Sequence, residues 1–148
     1  MSKPYPLGAH LQSANQLTPQ GCNFAIHAPD CSSLQLVLFN GKAQRSFTIE
    51  NKYAGIHHIF IADVVAGQEY GFSANIDGQD WLLLDPYAKA VSQAPYYQPP
   101  YDAETSWHLS KALVIDNCFD WQNVAQPDVP LAETVLLETH TKGFTKLN

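Results

Sequence analysis

An all-β sandwich is the fold this sequence predicts, and three observations predict it. Apolar residues recur at every second position in several short runs, turn-forming pairs separate those runs at similar intervals, and helical periodicity is almost absent. From Gly21 onward, Cys22, Phe24, Ile26 and Ala28 fall on one face and Asn23, Ala25 and His27 on the other, until Pro29-Asp30 breaks the run. Residues 33–39 alternate again, with Leu34, Leu36 and Leu38 opposite Gln35, Val37 and Phe39. Asn40-Gly41 then predicts a type I′ hairpin, because both residues tolerate positive φ. A return strand runs through Arg45, Phe47 and Ile49, and residues 56–64 form a fourth strand rich in β-branched and aromatic side chains. Tyr70, Phe72, Ala74 and Ile76 mark one side of a fifth strand, Asp77-Gly78 a second tight turn, and residues 81–84 the strand after it.

Outside these runs the texture differs. Residues 4–19 mix Pro, Gly, Ser, Asn and Gln and read as an irregular lead-in. Asp85-Pro86-Tyr87-Ala88-Lys89 suits a single helical turn, with Asp85 as cap and Pro86 at the first helical position. Tyr96-Tyr97-Gln98-Pro99-Pro100-Tyr101 reads as a fixed loop on the domain surface, and residues 113–115 as a short strand. The expected organisation is a lead-in over 1–19, a sandwich over 20–116, a linker over 117–133 and an apolar strand opening the segment 134–148.

Composition narrows the function. The chain has 148 residues, 45% hydrophobic and 15% charged, with eight Lys plus Arg against fourteen Asp plus Glu. The net charge of −6 leaves no basic stripe for phosphates, so nucleic acid and anionic membrane surfaces are not expected partners. No apolar run approaches the ~20 residues that span a bilayer. Met1-Ser2-Lys3-Pro4 lacks the apolar stretch of a secretory signal, and three cysteines without a CxxC pair read as thiols in a reducing compartment, so the cytoplasm is the expected location. His57 and His58 are adjacent on a strand and point to opposite faces, so they cannot chelate together; neither a metal nor a cofactor is expected. The glycines form no phosphate loop, no serine sits in a nucleophile elbow, and Asp30, Asp77 and Asp85 fall at turns and caps. Phe24, Phe47, Phe60 and Phe72 read as core. Trp81 follows a polar turn and either stands at a loop edge, where its flat face would suit the C–H face of a glucose ring, or packs under that loop.

The run Trp81-Leu82-Leu83-Leu84-Asp85-Pro86-Tyr87-Ala88-Lys89-Ala90 resembles the end of the N-terminal module of isoamylase-type glycogen and starch debranching enzymes. Gly67-Gln68-Glu69-Tyr70-Gly71-Phe72, Pro6-Leu7-Gly8-Ala9, Cys22-Asn23-Phe24-Ala25-Ile26, Leu36-Val37-Leu38-Phe39 and Phe119-Asp120-Trp121 resemble the same family in the same order, as does the stretch from Glu133 to Thr145. The resemblance implies an immunoglobulin-like sandwich of the carbohydrate-binding type ahead of a (β/α)8 catalytic barrel, a fold of about 250 residues. It also implies that Thr134 to Phe144 is the opening strand of that barrel, and that the family's nucleophile and acid, which lie on later strands, have no counterpart here; no catalytic residue is expected. The family's longer Trp-containing insertion is reduced here to residues 77–81, and a Trp common in the family is absent at Ile56-His57.

Two main readings follow. The first is a non-catalytic module that binds α-glucan (glycogen or malto-oligosaccharide) for a debranching enzyme, by stacking on Trp81 with Asn75, Asp77 and Gln79 as polar partners and Tyr53 and Lys52 as further candidates. The second is a structural module without sugar affinity, whose apolar face docks on a catalytic domain. A third is an unrelated sandwich used for protein–protein contact. The strand near residues 135–137 is expected either to fold back onto the sandwich or to pair with another molecule, giving self-association.

Overall fold

The computed structural model describes residues 2–14, 19–93, 102–118, 120–144 and 146. The chain divides into two units, Met1–Asn117 and Cys118–Asn148. The first is a sandwich of two antiparallel sheets. Sheet A runs β1 (Gly8–Gln12), β2 (Gly21–His27), β6 (Ile56–Ala62), β5 (Asn51–Tyr53). Sheet B runs β4 (Ala43–Thr48), β3 (Gln35–Asn40), β7 (Glu69–Ile76), β8 (Gln79–Leu83), and β9 (Ala112–Leu113) also pairs with β7. A one-turn helix, α1 (Ala103–Ser106), precedes β9.

Alternation puts Cys22, Phe24 and Ile26 of β2 against Leu36 and Leu38 of β3 and Tyr70, Phe72 and Ala74 of β7, the packing expected between facing sheets. Tyr70 sits at the centre, edge-on to Phe24 and Phe72 at centroid distances of 5.0 and 6.1 Å. Burial pushes the Cys22 thiol up to about 12, so it is an inert core thiol. His57 lies opposite core Ile26 and His58 opposite outward-facing Ala25, which confirms that the two rings point apart. His57 Nε2 donates to the Ala28 carbonyl while its Nδ1 is buried without a partner; burial first, and then the Lys52 ammonium, lowers its pKa and favours neutral imidazole.

Several expectations need correction. The lead-in contains β1, which pairs with β2 from Gly8↔Ala25 to Gln12↔Gly21. Its short mixed sequence hides it, because an edge strand buries little. A three-residue strand, β5, was also hidden, joined to β6 through Ala54 and Gly55, both at positive φ. The first hairpin is centred one residue later than expected: Asn40 pairs with Ala43, and only Gly41 of the two loop residues has positive φ, the pattern of a type II′ turn. Asp77 and Gly78 do both take positive φ, as a type I′ turn requires. Phe60 faces away from the core, opposite Asn23, because Ile59 and Ile61 take the inward positions of β6. The turn at Asp85 is a single one: the Ala88 amide donates to the Asp85 carbonyl and the Tyr87 amide to Asp85 Oδ1. The loop read over residues 96–101 lies outside the described residues.

The second unit has no core, every described residue in it being exposed. It holds a 3-10 turn at Leu131–Glu133 and one helical turn, α2 (Thr141–Phe144). Residues 134–137, read from the sequence as a strand, join no sheet, and Val135, Leu136 and Leu137 are 91, 83 and 76% exposed. A barrel strand satisfies its backbone only through neighbouring strands, and none lies beside it among the described residues.

Candidate functional site

The outer face of sheet B is built by the residues left over from the core. Register places Val37 and Phe39 of β3, Gln44 of β4, Glu69, Gly71 and Ser73 of β7, and Leu82 of β8 on that face. Part of it is roofed by the chain after residue 101. Asp102 starts α1 with a reciprocal cap, its carboxylate accepting from the Thr105 amide while the Asp102 amide donates to the Thr105 hydroxyl. The Thr105 amide first, and then the Thr105 hydroxyl, which also donates to Asp102 Oδ1, hold the Asp102 carboxyl below its usual pKa. Ser106 Oγ then accepts from the Leu82 amide at 2.9 Å, satisfying a donor on the free edge of β8, and donates to the Ala103 carbonyl. The Trp107 indole donates to the Asp80 carbonyl at 3.0 Å. Beneath the roof Gly71 leaves room for Leu82, whose Cδ1 lies 3.0 Å from where a Cβ would stand.

Beside this roof the face opens into a hollow of about 570 Å³, a size suited to a small-molecule site. Its wall on one side is Trp107, His108 and Lys111, and on the other Phe39, Gln44 and the β3–β4 hairpin. The Lys111 ammonium is anchored by donating to the Trp107 and Leu109 carbonyls, both at 2.6 Å, and stands 5.0 Å from the Phe39 ring centroid. Burial lowers its pKa, against the opposing pull of Glu69. Half-buried aromatic surface thus lies among amide, carboxylate and ammonium groups. No nucleophile–base pair is arranged there, and among the described residues no group of three His, Cys, Asp or Glu converges as a metal site would need.

The candidates read from the sequence fall in two places. Asn75, Asp77, Gln79 and Trp81 lie on the β7–β8 hairpin, whereas Lys52 and Tyr53 lie on β5. Thr48 and Asn51 join β4 to β5 directly, so these edges share one side of the sandwich; Gly8 against Tyr87 puts β1 and the end of β8 on the other. The two groups therefore lie on different sheets and toward opposite sides of the sandwich. Trp81 pairs with core-facing Ala74, which turns it to the inward side at the rim, half-buried. Asn75, one residue on in register, faces outward, and its amide donates to Asp80 while its carbonyl accepts from the Gly78 amide. Lys52 donates to the Pro29 and Cys31 carbonyls, and Tyr53 is 64% exposed. The sequence reading missed Trp107 and Lys111 as site residues. The outward phase of Phe39 was legible, and the Asp102-x-x-Thr105 cap was the available sign that Trp107 is held in place.

The model of carbohydrate-binding module 48, the isoamylase N-terminal domain, matches residues 6–88. The chain is 33% identical over 160 residues to a glycogen operon protein GlgX homolog of Haemophilus influenzae, covering 98% of this chain and 23% of that protein. It is 27% identical over 164 residues to a glycogen debranching enzyme of Dickeya chrysanthemi, covering 97% of this chain and 24% of the relative. The chain thus spans about a quarter of the length of these relatives. Among solved structures, the catalytic module of the glycogen-degrading pneumococcal virulence factor SpuA aligns with a TM-score of 0.59 at 18% identity, over 78% of this chain and 17% of that one. The apo pullulanase from Paenibacillus barengoltzii aligns with a TM-score of 0.58 at 19% identity, over 86% and 18%. Both support the fold alone. The two-sheet architecture and the family match over most of the sandwich together make this chain a member of the carbohydrate-binding module 48 family, the isoamylase N-terminal domains.

Proposed function

We propose that this module binds α-glucan chains, as in glycogen and malto-oligosaccharides, in the hollow on the outer face of sheet B, and that it does so for a debranching-type catalytic domain. The observation that carries the reading is the half-buried Trp107 ring at a hollow that also presents Gln44, Gln93, Glu69 and Lys42. A glucosyl ring has an apolar C–H face, which an indole matches, and a rim of hydroxyls, which amides and charged groups bond. The names of the relatives supply the choice of glucan over other sugars. Trp81 is the second position to test, since it is half-buried in the middle of β8, two residues from the strand's start at Gln79.

One observation favours a docking role instead: the exposed run Val135-Leu136-Leu137, which a neighbouring catalytic domain would cover. Calorimetry with maltoheptaose and glycogen, together with tryptophan fluorescence, separates the two. We expect saturable binding that Trp107→Ala weakens at least about tenfold, roughly 1.4 kcal/mol, and that Trp81→Phe changes little. Absence of heat and of a fluorescence change with both sugars would favour the docking role.

A further inference from the structure

Resting on the reading that the hollow beside Trp107 binds glucan, we infer that the site continues into a second hollow and selects long, uninterrupted glucan chains over short oligosaccharides. The second hollow, about 560 Å³, lies past the end of sheet B between the β3–β4 hairpin and the β6–β7 loop. It shares Phe39, Gly41, Glu69 and Ser92 with the first, so the two are neighbouring parts of one trough. The register explains the continuity. Gln44 pairs with Phe39, Phe39 with Glu69, and Glu69 with Leu113, which sets one row of side chains across β4, β3, β7 and β9. The second hollow continues beyond that row to Asn40 and Val65.

The far end has the chemistry to hold more sugar. Asn40 is exposed at the hairpin and offers an amide donor and acceptor, Val65 contributes apolar surface at 54% exposure, and the α-carbons of Gly41 and Gly67 face open space that lets a chain approach the backbone. The Gln68 amide donates to the Phe39 carbonyl at 2.6 Å and to that of Glu69 at 2.9 Å, fixing the loop against the row. A short oligosaccharide fills the Trp107 hollow alone, whereas a longer one reaches both.

The test is a calorimetric series with maltotriose, maltopentaose and maltoheptaose on the wild-type chain and on Asn40→Ala and Val65→Asp, two exposed positions outside the Trp107 hollow. We expect affinity to rise about tenfold from maltotriose to maltoheptaose in the wild type. In both variants that gain is expected to fall to the few-fold increase that comes from the greater number of binding registers on a longer chain, with maltotriose affinity unchanged. A wild-type series that stays flat while maltotriose binding still depends on Trp107 overturns the extension and leaves the glucan reading standing. A gain that survives in both variants also overturns it. Failure of every sugar to bind overturns the glucan reading and this inference with it.

Discussion

Replacing Tyr70 with phenylalanine is expected to cost the sandwich about 1.5–3 kcal/mol where Asp85 is ionised, and clearly less where Asp85 is protonated. The Tyr70 hydroxyl donates to Asp85 Oδ2 at 2.6 Å, and both residues are buried, at 1 and 2% exposure. The other carboxylate oxygen accepts from the Tyr87 amide, so Asp85 ties the turn after β8 to the middle of the core. Burial raises the Asp85 pKa, against the hydrogen bonds from Tyr70 and Tyr87 and the nearby His10, which lower it; burial also raises that of Tyr70, which stays a donor throughout. A carboxyl with a raised folded pKa binds its proton more readily in the native state. Stability therefore falls as pH rises from the ordinary carboxylate range through Asp85's own value, and is flat above it. Tyr70→Phe removes a bond that favours the carboxylate, so the window of falling stability extends to higher pH. Urea midpoints measured from pH 4 to pH 8 read this directly. A penalty of equal size at every pH would show that the hydroxyl does not act through Asp85.

Gly21→Ala is expected to destabilise the sandwich by about 3 kcal/mol, through overpacking against backbone that cannot yield. Gly21 opens β2 opposite Ala62, and a Cβ there would collide with the Ile61 carbonyl oxygen and stand 2.7 Å from Phe60 Cζ and 2.9 Å from Ala62 Cα. The Phe60 ring can swing aside, but the β6 backbone moves only by breaking the β2–β6 ladder at its end. Gly41→Ala is the control. Gly41 has positive φ and nothing within 4 Å, so an alanine there meets only the left-handed backbone cost of roughly 1–2 kcal/mol. Thermal unfolding of the two variants side by side checks the ranking. A Gly21→Ala loss no larger than that of Gly41→Ala would contradict the close approach of these strands.

The parts legible in the sequence are those where periodicity and burial coincide. Cys22-Phe24-Ile26 and Tyr70-Phe72-Ala74 announce their faces because both alternate against a continuous core. Asp77-Gly78 announces its turn because both residues suit positive φ. The hidden parts depend on partners distant in sequence. β1 is a strand only because β2 offers it an edge, and no residue of Lys3 reveals that its backbone amide donates to the Asn23 side chain. The site was legible to a lesser degree. Trp81 stood out by its neighbours, yet its pairing with Ala74 turns it inward. Trp107 carried no local sign of function, because its place over sheet B depends on Ser106 meeting Leu82 and on its own indole meeting Asp80.

The claim that the outer face of sheet B holds glucan is tested most directly by nitrogen-15 amide spectra of the chain during titration with maltoheptaose. The expected shifts fall on the Trp107 indole, the Gln44 and Gln93 side-chain amides and the backbone of residues 107–111, with Tyr53 and Lys52 unmoved. Shifts confined to Tyr53 and Lys52, or to the β7–β8 turn at Asp77 and Gln79, would contradict the placement.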